Sequence, residues 1–183
     1  SNAYGATALN QLNGGTIDGN GFTFKATGAG GTWGSAINTT GGTIKNLIIN
    51  SAMRGIFMGG ATADVYIDNV IIDGTIYTFN SDGGNKNYGV YLSNCTIKGW
   101  TSHSDVHKEV VYTNCVFGER GYKFCRPYAT TTFVDCDFCE GYTVDPVSAA
   151  VVSFDGCTLN GVALTAENIA TLVTNTAKVV SVK

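Results

Sequence analysis

His103, Lys123 and Arg126 are the residues of this chain whose types and spacing best suit proton transfer. His103 stands nine residues after Asn94 and Lys123 nine after Asn114, a matching offset that predicts outward neighbours on adjacent repeats. A lysine or arginine beside a histidine can act as base and acid toward a bound substrate. Asp105, His107 and Asp145 gather near them, interleaved with Trp100, Tyr122, Tyr128 and Tyr142, a set suited to binding and orienting a ligand. The same row also reads as exposed polar residues on a neutral surface. In His103-Ser104-Asp105-Val106-His107 the alternate spacing would put both imidazoles on one side of a strand, but two His and one Asp do not make a metal site, and none is expected.

What must position these side chains is a repeat. Asn46, Asn69, Asn94, Asn114, Asp135 and Gly156 follow one another at spacings of 23, 25, 20, 21 and 21 residues. Mostly apolar residues stand two and four places before each anchor, as Val65 and Ile67, Val90 and Leu92, or Val110 and Tyr112. Others stand one and three places after it, as Val70 and Ile72, Cys115 and Phe117, or Cys136 and Phe138. Short alternating strands at a period in the twenties predict a solenoid in which each repeat is one coil. The segment from Gly14 to Phe24 reads as the first coil, with Phe22 and Phe24 inward. Third strands are expected at Ile56 to Met58, Ile76 to Phe79, Tyr122 to Cys125 and Tyr142 to Val144.

An asparagine at a sharp bend tolerates left-handed backbone, and its amide can bond the asparagine of the next coil. The row of anchors resembles the asparagine ladder of right-handed parallel β-helices in the pectate-lyase-like superfamily. The resemblance covers roughly residues 14 to 164 and implies an all-β, right-handed, single-stranded parallel β-helix of about seven coils. It implies little about activity, because that fold carries lyases, hydrolases, esterases, tailspikes and adhesins alike. Neither the paired-Asp and Gly-His-Gly motifs of polygalacturonase-like enzymes nor the Gln-Asp pattern of pectin methylesterases occurs. Asp64, Asp68 and Asp73 read as turn and solvent residues. Were the chain a lyase, the resemblance would assign β-elimination from a uronate to His103, Lys123 and Arg126, with Asp105 and Asp145 as calcium ligands or orienting groups.

Cys95, Cys115, Cys136 and Cys157 each follow an anchor, which predicts a ladder of small buried side chains; a disulfide between adjacent rungs stays open. No Cys-x-x-Cys pair suggests zinc, and Cys125 and Cys139, off the ladder, are the expected reactive thiols. Trp33, Tyr66, Tyr77, Tyr91 and Trp100 are not all inward; exposed rings among Asn, Ser and Thr suit sugar faces, or else stiffen the sheet. Thr165 to Val173 predicts a short capping helix with Ile169, Leu172 and Val173 as its apolar stripe, followed by a tail whose valines suit a strand or a linker.

Residues 1–3 read as the scar of a removed tag, 4–164 as the β-helix and 165–183 as cap and tail. Charged residues are 14% of the chain and the net charge is −3, with no basic stripe, so nucleic acid is not an expected partner. No apolar run is long enough to span a membrane as a helix. The solenoid, the neutral hydroxyl-rich exterior and the missing family motifs fit a non-catalytic module of a secreted or cell-surface protein or a phage tail, glycan-binding or adhesin-like, that presents a rigid surface to glycans or a partner and needs no cofactor. The alternative is a polysaccharide lyase or hydrolase acting on acidic glycans, with calcium as an expected cofactor of a lyase.

Overall fold

The computed structural model describes residues 7–11, 14–26, 34–51, 54–73, 77–103 and 107–183. The tag scar, Trp33, Ile76, Ser104, Asp105 and Val106 lie outside the described residues. The described chain is a parallel β-solenoid of about six coils, close to the about seven expected. The last coil, anchored at Gly156, is incomplete. After Thr158–Leu159 the chain folds back as the antiparallel strand Val162–Ala163, where a further parallel turn would otherwise begin.

Every anchor has the left-handed backbone expected of it, with φ between 50° and 64° from Asn46 to Gly156. Strands on both sides of the anchors form one sheet: Val65–Asp73 pairs with Val90–Ser93 before the bend and with Thr96–Lys98 after it. The third strands form a second sheet of seven, in the order Thr7–Gln11, Ser35–Thr39, Arg54–Met58, Tyr77–Ser81, Trp100–Ser102, Phe124–Arg126 and Thr143–Val144.

Alternation buries the expected residues. Ile67, Leu92, Tyr112, Phe133 and Phe154 fill one column, and Ile72, Ile97, Phe117 and Phe138 another, all at 1% exposure or less. In the later coils the columns are aromatic: Phe117 stacks on Phe138 at 4.6 Å, and Tyr112 on Phe133 at 5.2 Å. Identical rings one strand spacing apart overlap in parallel, which adds to the burial energy of each ring.

The asparagine ladder is real but interrupted. Asn69 Nδ2 donates to Asn46 Oδ1 at 3.0 Å and Asn114 Nδ2 to Asn94 Oδ1 at 2.8 Å. Asn94, however, donates to Asp68 Oδ1 at 2.8 Å instead of reaching Asn69, and Asn46 donates to Asp18 at 3.1 Å. Asp68 is therefore a rung, not a solvent residue; bonds from the Ser93 hydroxyl and Asn94 hold its carboxyl below the usual range. Asp64 caps the Gly89 N–H at 2.8 Å, and Asp73 pairs with Lys98 and Arg120.

Two further expectations are corrected. Phe22 is 73% exposed rather than inward. Asp18 aligns with Lys45 and Thr23 with Ile48, so the first coil holds extra residues at its bend and Gly19 takes the place over Leu47, where an added Cβ would lie 2.1 Å from the leucine Cβ. The terminal cap is not an α-helix but a 3-10 turn, Ile169–Thr171. Its stripe is core all the same: Ile169, Leu172 and Val173 are buried, and Val173 bridges to Val144. The tail is a strand, Val179–Val182, paired with Val152–Asp155.

Candidate functional site

The seven-stranded sheet places Trp100 opposite Phe124 and Ser102 opposite Arg126. His103 thus follows its strand beside the Arg126 carbonyl, which accepts its N–H at 3.3 Å, and is not the neighbour of Lys123. The equal offsets from Asn94 and Asn114 mislead because the chain between anchor and third strand is longer in the second of the two coils. His103 is 1% exposed, with Nε2 2.6 Å from the Tyr112 hydroxyl. Lys123 turns instead to Glu119 at 3.3 Å and to the Glu140 carbonyl at 3.0 Å. Arg126 donates through Nε and Nη2 to Asp145 Oδ2 at 3.1 and 2.9 Å. Each of the three expected catalytic side chains is thus engaged by a partner of its own, and Lys123 lies away from the other two.

Other members of the expected set also move inward. His107 is 5% exposed and meets Ser81 Oγ at 2.8 Å through Nε2, so the two imidazoles do not share an open strand face. Tyr142 is a core residue, 1% exposed and packed 5.4 Å from both Phe117 and Phe138. Asp145 has both oxygens engaged, Oδ2 by Arg126 and Oδ1 by the Thr174 hydroxyl at 2.6 Å. That arrangement does not suit a calcium ligand. Among the described residues no cluster of three or more His, Cys, Asp or Glu is gathered around a metal-sized space.

What remains is a pocket of about 350 Å³ over the middle of the sheet. Trp100, Ser102, His103, Arg126 and Tyr128 line it together with Ser81, Asp82 and Ser148. Trp100 is its aromatic wall, 5.5 Å from Tyr77, 5.8 Å from the half-exposed Tyr122 and 5.0 Å from Phe124. The Arg126 guanidinium lies 4.9 Å from the Phe124 ring.

Sequence reading missed Arg54 and Asp82. Arg54 is 2% exposed, lies 4.5 Å over Phe57 and donates through both Nη atoms to Asp82 Oδ2 at 3.5 Å. A charged residue in a strand that is otherwise glycine and apolar was the available signal.

Two buried polar atoms of the lining, His103 Nδ1 and Trp100 Nε1, have no hydrogen-bond partner. Trp100 Nε1 is always a donor. The state of His103 follows from its neighbour. Tyr112 is fully buried with its hydroxyl against Nε2; were Nε2 the donor, the phenol O–H and Nδ1 would both go unmet, whereas a donating Tyr112 leaves Nδ1–H alone unmet. Tyr112 therefore donates, and the neutral imidazole carries its proton on Nδ1. Desolvation, aided by His107, lowers the His103 pKa to about 3, and desolvation lowers that of His107 to about 4, so both are neutral at physiological pH.

Tyr66 and Tyr91 stack at 5.2 Å and 16°, each giving one face to the other, with their hydroxyls on Asp64 and Glu109. All six cysteines are free, and the ladder thiols donate to backbone carbonyls, as Cys95 does to Ser93 at 3.1 Å. Cys125, expected to be reactive, is wholly buried, and desolvation pushes its thiol well up; Cys139 is partly exposed, its pKa also raised by desolvation. No protein-family model matches this chain, and no curated protein or solved structure matches it.

Proposed function

We propose that this chain is a non-catalytic β-solenoid module that holds a rigid, polar, aromatic-walled pocket against a glycan. The observation that carries the reading is the pocket itself, in which the Trp100 indole wall stands beside Ser102, Arg126 and Tyr128. Sugars present C–H faces to rings and hydroxyls to fixed polar groups, and pockets of this size take small ligands. The engagement of His103, Lys123 and Arg126 in structural bonds supports binding over turnover. The neutral, hydroxyl-rich exterior fits a secreted or cell-surface protein or a phage tail.

The second reading is a lyase or hydrolase, favoured by a carboxylate, Asp82, and a guanidinium, Arg126, in one pocket. The test is a panel of neutral and acidic polysaccharides, with and without calcium, followed for binding and for unsaturated uronate products or new reducing ends. Binding without products is the expected result. Products that vanish in Arg126→Ala would overturn it in favour of an enzyme.

A further inference from the structure

Charge and hydrogen-bond sense around the pocket restrict what it can hold. Arg54 is paired with Asp82, and Arg126 with Asp145, so each guanidinium already faces a carboxylate. Lys178, the cation behind Ser148, turns its ammonium onto the carbonyl oxygens of Ser148 and Ala150 at 2.6 and 3.5 Å. His103 is an uncharged donor, as argued above. At the rim stands Asp82, its side chain 36% exposed, with both bonds from Arg54 falling on Oδ2. Among the described lining residues an anionic ligand would find no uncompensated cation to offset its desolvation, and at the rim it would meet the carboxylate of Asp82.

A neutral sugar suits the same groups. Each of its hydroxyls both donates and accepts. The pocket offers donors on Arg126, an acceptor on Asp82, and hydroxyls on Ser102 and Tyr128 that serve either way. We infer that the pocket selects an uncharged sugar residue, its C–H face on Trp100 and its hydroxyls shared among Arg126, Asp82, Ser102 and Tyr128, and that it rejects uronic acids. The inference rests on the glycan-binding reading and adds the class of sugar.

The experiment is a titration of the full chain with dextran and galactan as neutral probes and polygalacturonate and alginate as acidic ones. It is run on wild type, Trp100→Phe, Asp82→Asn and Tyr128→Phe, each checked for native circular dichroism. Trp100→Phe keeps an aromatic ring but shortens the wall a sugar can cover; Tyr128→Phe removes one hydroxyl and does not touch the Arg54 pair. The expected result is binding of a neutral probe only, unchanged between about 0.02 and 0.5 M salt, because no net charge is neutralised. Trp100→Phe and Asp82→Asn are expected to weaken it roughly tenfold each, the first by loss of stacking area and the second by loss of about one polar contact. Preference for the acidic probes, with affinity falling as salt rises, overturns the inference and leaves the glycan reading standing. Neutral binding that none of the variants weakens overturns the pocket as its site. No binding to any probe overturns both.

Discussion

On the anchor sheet Val65, Val90, Val110, Thr131 and Val152 stand in one unbroken register through five coils. Across the seven-stranded sheet the register slips: Trp100 faces Tyr77 but Ser102 faces Asn80, one residue out of step. The regular side buries apolar columns and carries a ladder of amides along its exposed bend. The irregular side buries Arg54, Asn80, Ser81, His103 and His107 and carries the pocket. Its connections are also longer. Residues 82–89 fold down onto His107, where a Cβ added to Gly84 would lie 2.7 Å from Nδ1. The difference teaches that the repeat supplies rigidity on one face, while departures from the repeat create polar, partly dry space on the other.

Mutations should separate the two faces by their energies. The largest effect belongs to the regular core. Phe117→Ala, which empties a fully buried site between Phe138 and Tyr112, is expected to lower stability by about 3–5 kcal/mol in chemical denaturation. An unchanged midpoint would remove the distinction at its base. Next comes the ladder. Asn94→Ala loses the bond to Asp68 and the bond accepted from Asn114, and puts a Cβ-only residue at φ 54°, for a combined loss of about 2 kcal/mol. Asn94→Gly, free of the backbone strain, should lose less.

Acid should act on the irregular face first. His103 and His107 are neutral in the fold, with pKa values of about 3 and about 4, whereas the unfolded chain protonates near the ordinary 6.5. Below that ordinary value the unfolded state binds the extra protons. Stability is therefore full above about pH 6.5 and falls as pH falls, by up to about 1.4 kcal/mol per unit for each imidazole. Asp18 and Asp68, held low by hydrogen bonds in the ladder, have the same sign but act only below the ordinary carboxylate range. Urea midpoints measured from pH 7 to 5 should fall in wild type and fall less in His107→Asn. Equal slopes in the two would contradict the buried-neutral assignment.

The smallest effects test whether the pocket is spare to the fold. Trp100→Phe, which keeps most ring contacts with Tyr77 and Phe124, should change stability by less than about 1 kcal/mol while weakening binding. A thiol reagent under native conditions should label Cys139 slowly and leave the buried Cys95, Cys115, Cys125, Cys136 and Cys157 untouched. Rapid labelling of a ladder thiol would show that the regular face opens more readily than its packing implies.

The spacing of Asn46 to Gly156 and the alternation around it were enough to read the solenoid, the inward columns, the left-handed bends and the cysteine ladder. These depend on local backbone preference and on a period of two, which are written residue by residue along the chain. Trp100, Arg126 and Tyr128 were likewise legible as pocket residues, because large polar and aromatic side chains interrupt the pattern there. The pairing of His103 with Tyr112, the burial of His107 and Tyr142, the Asn94 bond to Asp68 and the Arg54–Asp82 pair were not legible. Each depends on how many residues a neighbouring coil places between its bend and its third strand. Equal distance from an anchor aligns side chains only when the intervening turns are equal, and only the stacked coils decide that.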